Sequence, residues 1–218
     1  MITILQHGKD EGPGTITEYL DAHNKHFHII RLHEGERLPD QPQENLIVLG
    51  GQMSVNDEMD YSYLHSEKML VRDSVNKGCV VLGVCLGAQM IAAACGEKVF
   101  ACEKETGWKT VMGGKSGWDH IFPSRFEVFH WHGESFDLPK NAQLLVKGEV
   151  VTNQAFLINN ALGVQFHPEV TIPIISTWAK DLKRTERELM IVESEKKIEG
   201  NRILCNTIMD AFCHQWTR

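Results

Sequence analysis

Two stretches of the chain are apolar from end to end instead of alternating, and they constrain its fold more than any other feature. Leu46-Ile-Val-Leu-Gly50 ends in paired glycines, and Cys79-Val-Val-Leu-Gly-Val-Cys85 runs directly into an Ala-rich segment, residues 86–95, closed by Gly96. A strand that is apolar on both faces is buried on both, as happens when helices cover a parallel sheet. Helices are available at the right places. Residues 15–24 set Ile16, Tyr19, Leu20 and His23 at helical spacing, and residues 61–76 keep that period up to Gly78, a glycine suited to end a helix. Residues 2–6 and 27–32 add two short strand-like runs. Strands alternating with helices predict βαβ units and an open, mainly parallel α/β sheet flanked by helices.

The pattern changes after Lys98. Residues 99–102, 108–112 and 126–130 are short runs that predict antiparallel strands added to the sheet, and residues 163–167 are again strand-like. The end of the chain predicts two charge-rich helices, over 174–197 and 203–216. Lys180, Asp181, Lys183, Arg184, Glu186, Arg187 and Glu188 mix signs, the mark of a solvated helix face with i,i+4 pairs and not of a binding surface. No repeat, low-complexity tract or linker divides the chain, so residues 1–218 are expected to form a single domain.

Composition narrows the function. A domain of 218 residues buries roughly 70% of its unfolded surface and needs no disulfide or metal staple. A net charge of -7 argues against nonspecific nucleic-acid binding, which requires a basic surface. The first residues, Met1 to Gln6, carry no basic segment of the secretory kind, and no apolar run approaches the ~20 residues that span a bilayer. The six cysteines, at 79, 85, 95, 102, 205 and 213, include no C-x-x-C pair. A cytoplasmic, reducing location is expected, with no membrane or nucleic-acid partner.

Gly83-Val84-Cys85-Leu86-Gly87 has the pattern of a nucleophile elbow. A buried strand passes into a helix through a turn tight enough to need small neighbours, and the cysteine projects at the carboxyl edge of the sheet. At a helix N-terminus the thiolate is favoured by unpaired N–H groups and the helix dipole. A thiolate nucleophile needs a proton shuttle. Among 11 histidines, His167 stands out in Gln165-Phe166-His167-Pro168-Glu169, where Glu169 can orient the imidazole and stabilise its cation. The paired glycines after residue 49 let backbone N–H groups approach a ligand, and could supply an oxyanion donor together with the N–H of Leu86. His130-Trp131-His132 puts two imidazoles on one strand face. No carboxylate or cysteine stands at a convincing spacing for a third ligand, so a structural or pocket-wall role is expected, with no metal.

Gly83-Val-Cys-Leu-Gly-Ala-Gln89, Phe166-His-Pro-Glu169 and the upstream Gly50-Gly51 together resemble the class I glutamine amidotransferases. Gln6-His7, Gly12-Pro13-Gly14, Phe129-His-Trp-His-Gly133 and Asn153-Gln-Ala-Phe156 are similar to a stand-alone subgroup related to the glutaminase part of guanosine monophosphate synthase. The resemblance covers the chain up to about Thr171, leaving residues 172–218 as a helical extension, and implies a flavodoxin-like fold. It implies Cys85 as nucleophile, His167 as general base and acid, and Glu169 as the orienting carboxylate. It also implies Gly51 and Leu86 as backbone oxyanion donors. Gly50 and Gln89 would belong to the glutamine site, and His132-Gly133-Glu134 would border the substrate's amino-acid end. Many members carry proline after the paired glycines, where this chain has Gln52. No cofactor is implied, and no G-x-x-x-x-G-K-[ST] phosphate loop is present.

The expected reaction is cleavage of a γ-glutamyl amide through a γ-glutamyl thioester, with glutamine or another γ-glutamyl compound as substrate. A glutaminase subunit supplying ammonia to a separate synthetase is the alternative, and a non-catalytic binding module of the same fold is a third. The related cysteine-elbow family of chaperone-like peptidases lacks the His-Pro-Glu segment.

Overall fold

The computed structural model describes residues 1–114 and 117–216. In chain order the strands are β1 (Ile2–Gln6), β2 (Phe27–Arg31), β3 (Asn45–Val48), β4 (Val80–Val84) and β5 (Val99–Gly113), then β6 (Phe126–Phe136), β7 (Gln143–Lys147), β8 (Asn153–Ile158) and β9 (Ala161–Val164). The helices are α1 (Thr15–Ala22), α2 (Tyr63–Asn76), α3 (Leu86–Ala94), α4 (Ile172–Trp178) and α5 (Arg184–Cys213). One sheet runs in the order β2-β1-β3-β4-β9-β8-β7-β5-β6. The pairings among β2, β1, β3, β4 and β9 are all parallel, and those from β9 through β8, β7, β5 and β6 are antiparallel.

The continuous apolar strands are explained by two cores, one on each face. Ile4, Ile47, Leu82 and Val84 face a core shared with α1 and the last turns of α5. Leu5, Leu46, Val48 and Val81 face the other, shared with α2 and α3. Successive strand side chains point to opposite faces, so covering both faces makes every position apolar. The ends of α2 and α3 are built alike. Gly78 has φ 72, its N–H donates to Val75 O, and the Cys79 N–H donates to Ser74 O. This closing loop turns α2 directly into β4 and fixes where the elbow emerges. Gly96 closes α3 in the same way through Ala93 O and the bond from Glu97 N–H to Ala92 O.

The antiparallel half departs from expectation. The runs over 99–102 and 108–112 are parts of one strand, β5, whose pairing with β6 shifts register between Ala101 and Glu105. That bulge interrupts the alternation and made one strand look like two. β7 and β8 had no strand signal of their own, although Asn153-Gln-Ala-Phe156 lies on β8. β9 stops at Val164, short of His167.

The C-terminal helices break elsewhere than expected. A short 3-10 turn, Ala179–Asp181, separates α4 from α5, and α5 runs unbroken for 30 residues through Gly200. Asn201, Leu204, Cys205, Ile208, Met209 and Phe212 make a buried stripe along its second half. Its first half is mostly exposed and carries pairs such as Arg184–Glu188, as the mixed charges predict. Such exposed pairs contribute about 0–1 kcal/mol each. Among the described residues, no helix is long and apolar enough to cross a membrane.

Candidate active site

Cys85 lies between β4 and α3 with φ 50 and ψ -104. A non-glycine residue in this region is strained, and its surroundings must over-determine it. They do so from both sides. The Cys85 N–H donates to Val164 O at 2.8 Å, and its carbonyl accepts from the Gln89 N–H at 3.1 Å. A Cβ at Gly83 would run into the Gly87 carbonyl, and one at Gly87 would run into the Val48 carbonyl. Both flanking glycines are therefore needed for β4, the turn and α3 to pack. The first N–H groups of α3, starting at Leu86, have no intrahelical acceptor.

His167 sits on the irregular segment after β9. Its N–H donates to Phe129 O at 2.8 Å. Asn201 of α5 donates from Nδ2 to His167 O at 3.1 Å and to Pro168 O at 3.0 Å. The Thr15 N–H donates to Glu169 O at 2.9 Å, an approach that only glycine at position 14 permits, since a Cβ there would strike that carbonyl. Gly12-Pro13-Gly14 thus belongs to the His167 loop's support. The His167 Nδ1 and Glu169 Oε1 are 2.8 Å apart, with both side chains buried. Nε2 is buried on the Cys85 side, and among the described residues no group meets it at full hydrogen-bond geometry. Burial disfavours the imidazolium, but the Glu169 charge and the neighbouring Cys85 thiol outweigh it and raise His167 to about 10. The edge of the ring packs against Trp178, with centroids 4.8 Å apart.

Gly50 lies between the two candidate catalytic groups. A Cβ there would be 3.2 Å from His167 Cε1 and 3.7 Å from Cys85 Cβ. A Cβ at Gly51 would fall within 3 Å of Met53, Leu86 and His7 side-chain atoms. Gln52 donates to buried Glu11 at 2.8 Å and ties this loop to the loop after β1. Gln165 Nε2 lies 3.6 Å from the Cys85 sulfur, and Gln89 Nε2 reaches both Gln165 Oε1 and Glu134 O.

A cavity of about 930 Å³ opens over these groups. Gly51, Cys85, Gln89, His132, Gly133 and His167 all line it, whereas Glu169 is not among its walls. Gly50 and Leu86 are not among its walls. Trp131, in the middle of the His130-Trp131-His132 segment, lines it too, as do Trp178, Lys104 and Glu11, which no sequence signal marked. Gln165 had a visible cue, its place two residues before His167; Asn201 had none, because only the packing of α5 brings it there.

The HWH segment has a carboxylate partner after all, which corrects the sequence-based view that none was placed to join it. Glu105 on β5 pairs in register with His132 on β6. Glu105 Oε2 lies 3.3 Å from His132 Nε2 and 3.6 Å from His130 Nδ1, and those two nitrogens are 3.3 Å apart. Among the described residues this trio is grouped closely enough to hold a metal ion. Gln154 donates to the same Glu105 oxygen at 2.9 Å, and His132 Nδ1 lies 3.1 Å from Glu134 O. The polar atoms that face each other can thus close as a hydrogen-bond network. Burial, with smaller contributions from His132, His167 and Lys109, outweighs Glu105 and lowers His130 to about 3, so its ring is neutral at working pH.

A thiol on a strained elbow, a carboxylate-paired imidazole and the Gly51 backbone lining the same cavity can perform acyl transfer. The family model for class-I glutamine amidotransferases matches residues 15–174, and the chain belongs to that family. The glutamine amidotransferase-like protein YfeJ of Salmonella typhimurium is 29% identical over 210 residues, covering 91% of this chain and 87% of that one. A glutamine-hydrolysing GMP synthase from Thermomicrobium roseum is 33% identical over 101 residues, which are 44% of this chain but only 19% of the synthase. The crystal structure of a glutamine amidotransferase from Thermotoga maritima superposes with a TM-score of 0.89 at 28% identity, over 97% of this chain and 96% of that one. The fold is accordingly the flavodoxin-like α/β fold of the class I glutamine amidotransferases.

Proposed function

We propose that this protein cleaves γ-glutamyl amides through a γ-glutamyl thioester on Cys85. The observation that carries the reading is the buried His167–Glu169 pair, whose Nε2 faces the side of the ring away from Glu169, beside the strained Cys85 elbow. The Cys85 sulfur attacks the γ-carbonyl, and the thiol proton is held by His167. The N–H groups of Gly51 and Leu86 hold the tetrahedral oxyanion. His167 then gives its proton to the departing amine, the C–N bond breaks and the thioester remains. Water, losing a proton to His167, hydrolyses it to glutamate and restores the thiol. Glu169 keeps the imidazole oriented and balances its charge. Gln89, His132 and Gly133 border the substrate.

The cavity favours substrates larger than glutamine itself. About 930 Å³, with Trp131 and Trp178 in its walls, is within the range of sites that enclose drug-sized ligands, leaving room for an amine heavier than ammonia. The similarity to GMP synthases supports a second reading, in which the ammonia is passed to a separate synthetase chain. The test is to supply glutamine or a γ-glutamyl dipeptide to the purified protein, assay ammonia or amine release, and look for an acid-quenched adduct on Cys85 by mass spectrometry. Release with an adduct supports intrinsic hydrolysis. Silence with both substrates, followed by turnover on adding a synthetase, would favour the subunit reading.

A further inference from the structure

His7 immediately follows β1 and takes no part in the chemistry proposed above, yet it is fully buried with both ring nitrogens engaged. Nδ1 lies 3.1 Å from the Gly50 carbonyl oxygen, and Nε2 lies 2.8 Å from Glu67 Oε1 on α2. Neither side chain reaches solvent. A buried carboxylate is costly unless compensated, so a pair with no catalytic contact needs a reason to be there.

Its position supplies one. A carbonyl oxygen can only accept, so Nδ1 must carry a hydrogen and donate it to Gly50. This holds whether the proton between Nε2 and Glu67 sits on the imidazole or on the carboxylate. Burial disfavours the His7 imidazolium, but the charge and hydrogen bond of Glu67 and the Gly50 carbonyl outweigh burial and raise the His7 pKa above the ordinary imidazole value.

The Gly50–Gly51 peptide is trans, as the described peptides contain no cis bond. In a trans peptide the C=O and the following N–H point in opposite directions. Binding the Gly50 oxygen on the His7 side therefore turns the Gly51 N–H the other way. Gly51 lines the cavity beside Cys85, and among the described residues no protein group accepts its N–H. Two consecutive glycines can rotate that peptide freely unless something holds it. The Gln52–Glu11 bond anchors the loop one residue on, but does not set the plane of this peptide.

We propose that His7 and Glu67 form a buried positioning pair that locks the Gly50–Gly51 peptide with the Gly51 N–H aimed at the oxyanion. His7 is the positioning residue and Glu67 fixes its ring. This rests on the thioester reading of Cys85. The pair acts on the transition state only, because the γ-carbonyl oxygen needs that donor most when it becomes an anion.

Three variants test it: His7→Leu, which removes the donor, and His7→Asn and Glu67→Gln, each of which can keep a donor at the Gly50 oxygen. His7→Leu is expected to lower kcat about 10²–10³-fold, the usual effect of losing one oxyanion donor, with KM for glutamine little changed. Binding of a glutamine-derived aldehyde, which forms a tetrahedral adduct on the sulfur, should weaken in step with kcat. Alkylation of Cys85 by iodoacetamide, which needs no oxyanion site, should keep its rate. His7→Asn and Glu67→Gln should each stay within about tenfold of wild type, since the donor survives. Should His7→Leu fail to fold, the aldehyde-to-glutamine affinity ratio in Glu67→Gln and His7→Asn still decides, because a retained donor preserves the ratio. The inference is overturned if His7→Leu keeps its kcat, if kcat, KM and alkylation all decline together with thermal stability, or if either conservative variant loses the aldehyde preference. A wild-type protein with no turnover and no aldehyde adduct would instead sink the thioester reading, and the pair's role with it.

Discussion

His167 and His130 are both buried and both lie near a carboxylate, but they hold protons in opposite ways. His167, in the loop after the last parallel strand, has Glu169 to itself at 2.8 Å and is raised to about 10. His130, on the antiparallel strand β6, shares Glu105 with His132 at 3.6 Å and is lowered to about 3. Burial penalises the cation in both. One carboxylate per imidazole at hydrogen-bond distance overcomes that penalty; one carboxylate shared between two imidazoles, at longer range and with the second ring alongside, does not. His7 with Glu67 follows the first pattern. The candidate active site therefore sets a proton-holding imidazole beside the thiol, while the neutral His130 is not among the walls of the cavity.

The largest expected effect is that of the sulfur. Cys85→Ala should lower turnover by about 10⁴-fold or more while leaving the fold intact. A diazoketone analogue of glutamine should label Cys85 and none of the other five cysteines; labelling mainly elsewhere would dismantle the site. His167→Ala should be nearly as damaging, because the residues act as a unit. Near-wild-type rates in that variant would remove the contrast between the two histidines altogether.

Glu169→Gln sharpens the contrast. The amide oxygen can still accept from Nδ1–H, so the loss should be milder, roughly 10–10²-fold. Removing the charge that opposes burial should also lower the His167 pKa, moving its ionisation in the pH–rate profile to lower pH. A loss equal to that of His167→Ala, or an unmoved profile, would show that the exclusive carboxylate is not what holds the proton.

A smaller effect separates the two histidines by stability. His130 is neutral when folded and takes a proton when unfolded below 6.5, so its contribution is present above 6.5 and is lost as pH falls towards about 3. The contribution of His167 has the opposite sign, present below 6.5 and lost as pH rises through about 10. Urea unfolding of His130→Gln at several pH values should show a shallower acid loss than wild type between pH 6.5 and 4, by up to about 1.4 kcal/mol per pH unit. An unchanged slope would mean that His130 is charged in the fold. The smallest effect is that of chelation. EDTA should leave activity unchanged, and elemental analysis should find no stoichiometric zinc or iron; activity lost on chelation and restored by one metal would make Glu105, His130 and His132 a metal centre.

The parallel half was legible because its signals are local. Residues 46–48 of β3 and all of β4 are apolar since both faces are covered, α2 and α3 end on glycines at positive φ, and the elbow needs glycine at 83 and 87 because neighbouring backbone leaves no room for a Cβ. The antiparallel half was not, because a bulge in β5 breaks the period and β7 and β8 are short strands that make sense only against their neighbours.

The sequence by itself determined the α/β class, through strand and helix patterns that alternate along residues 2–96, and the elbow at Cys85 and the His167-Pro-Glu169 segment, each written within seven consecutive residues. Only the tertiary structure decided that Glu105 faces His132 across β5 and β6, that Asn201 of α5 holds the His167 loop, and that His7 meets Glu67 over the Gly50 carbonyl. Each of those contacts joins residues 27 to 60 positions apart. Their side chains follow ordinary local preferences, and what pairs them is the register of strands and the packing of helices, which no short window of sequence contains.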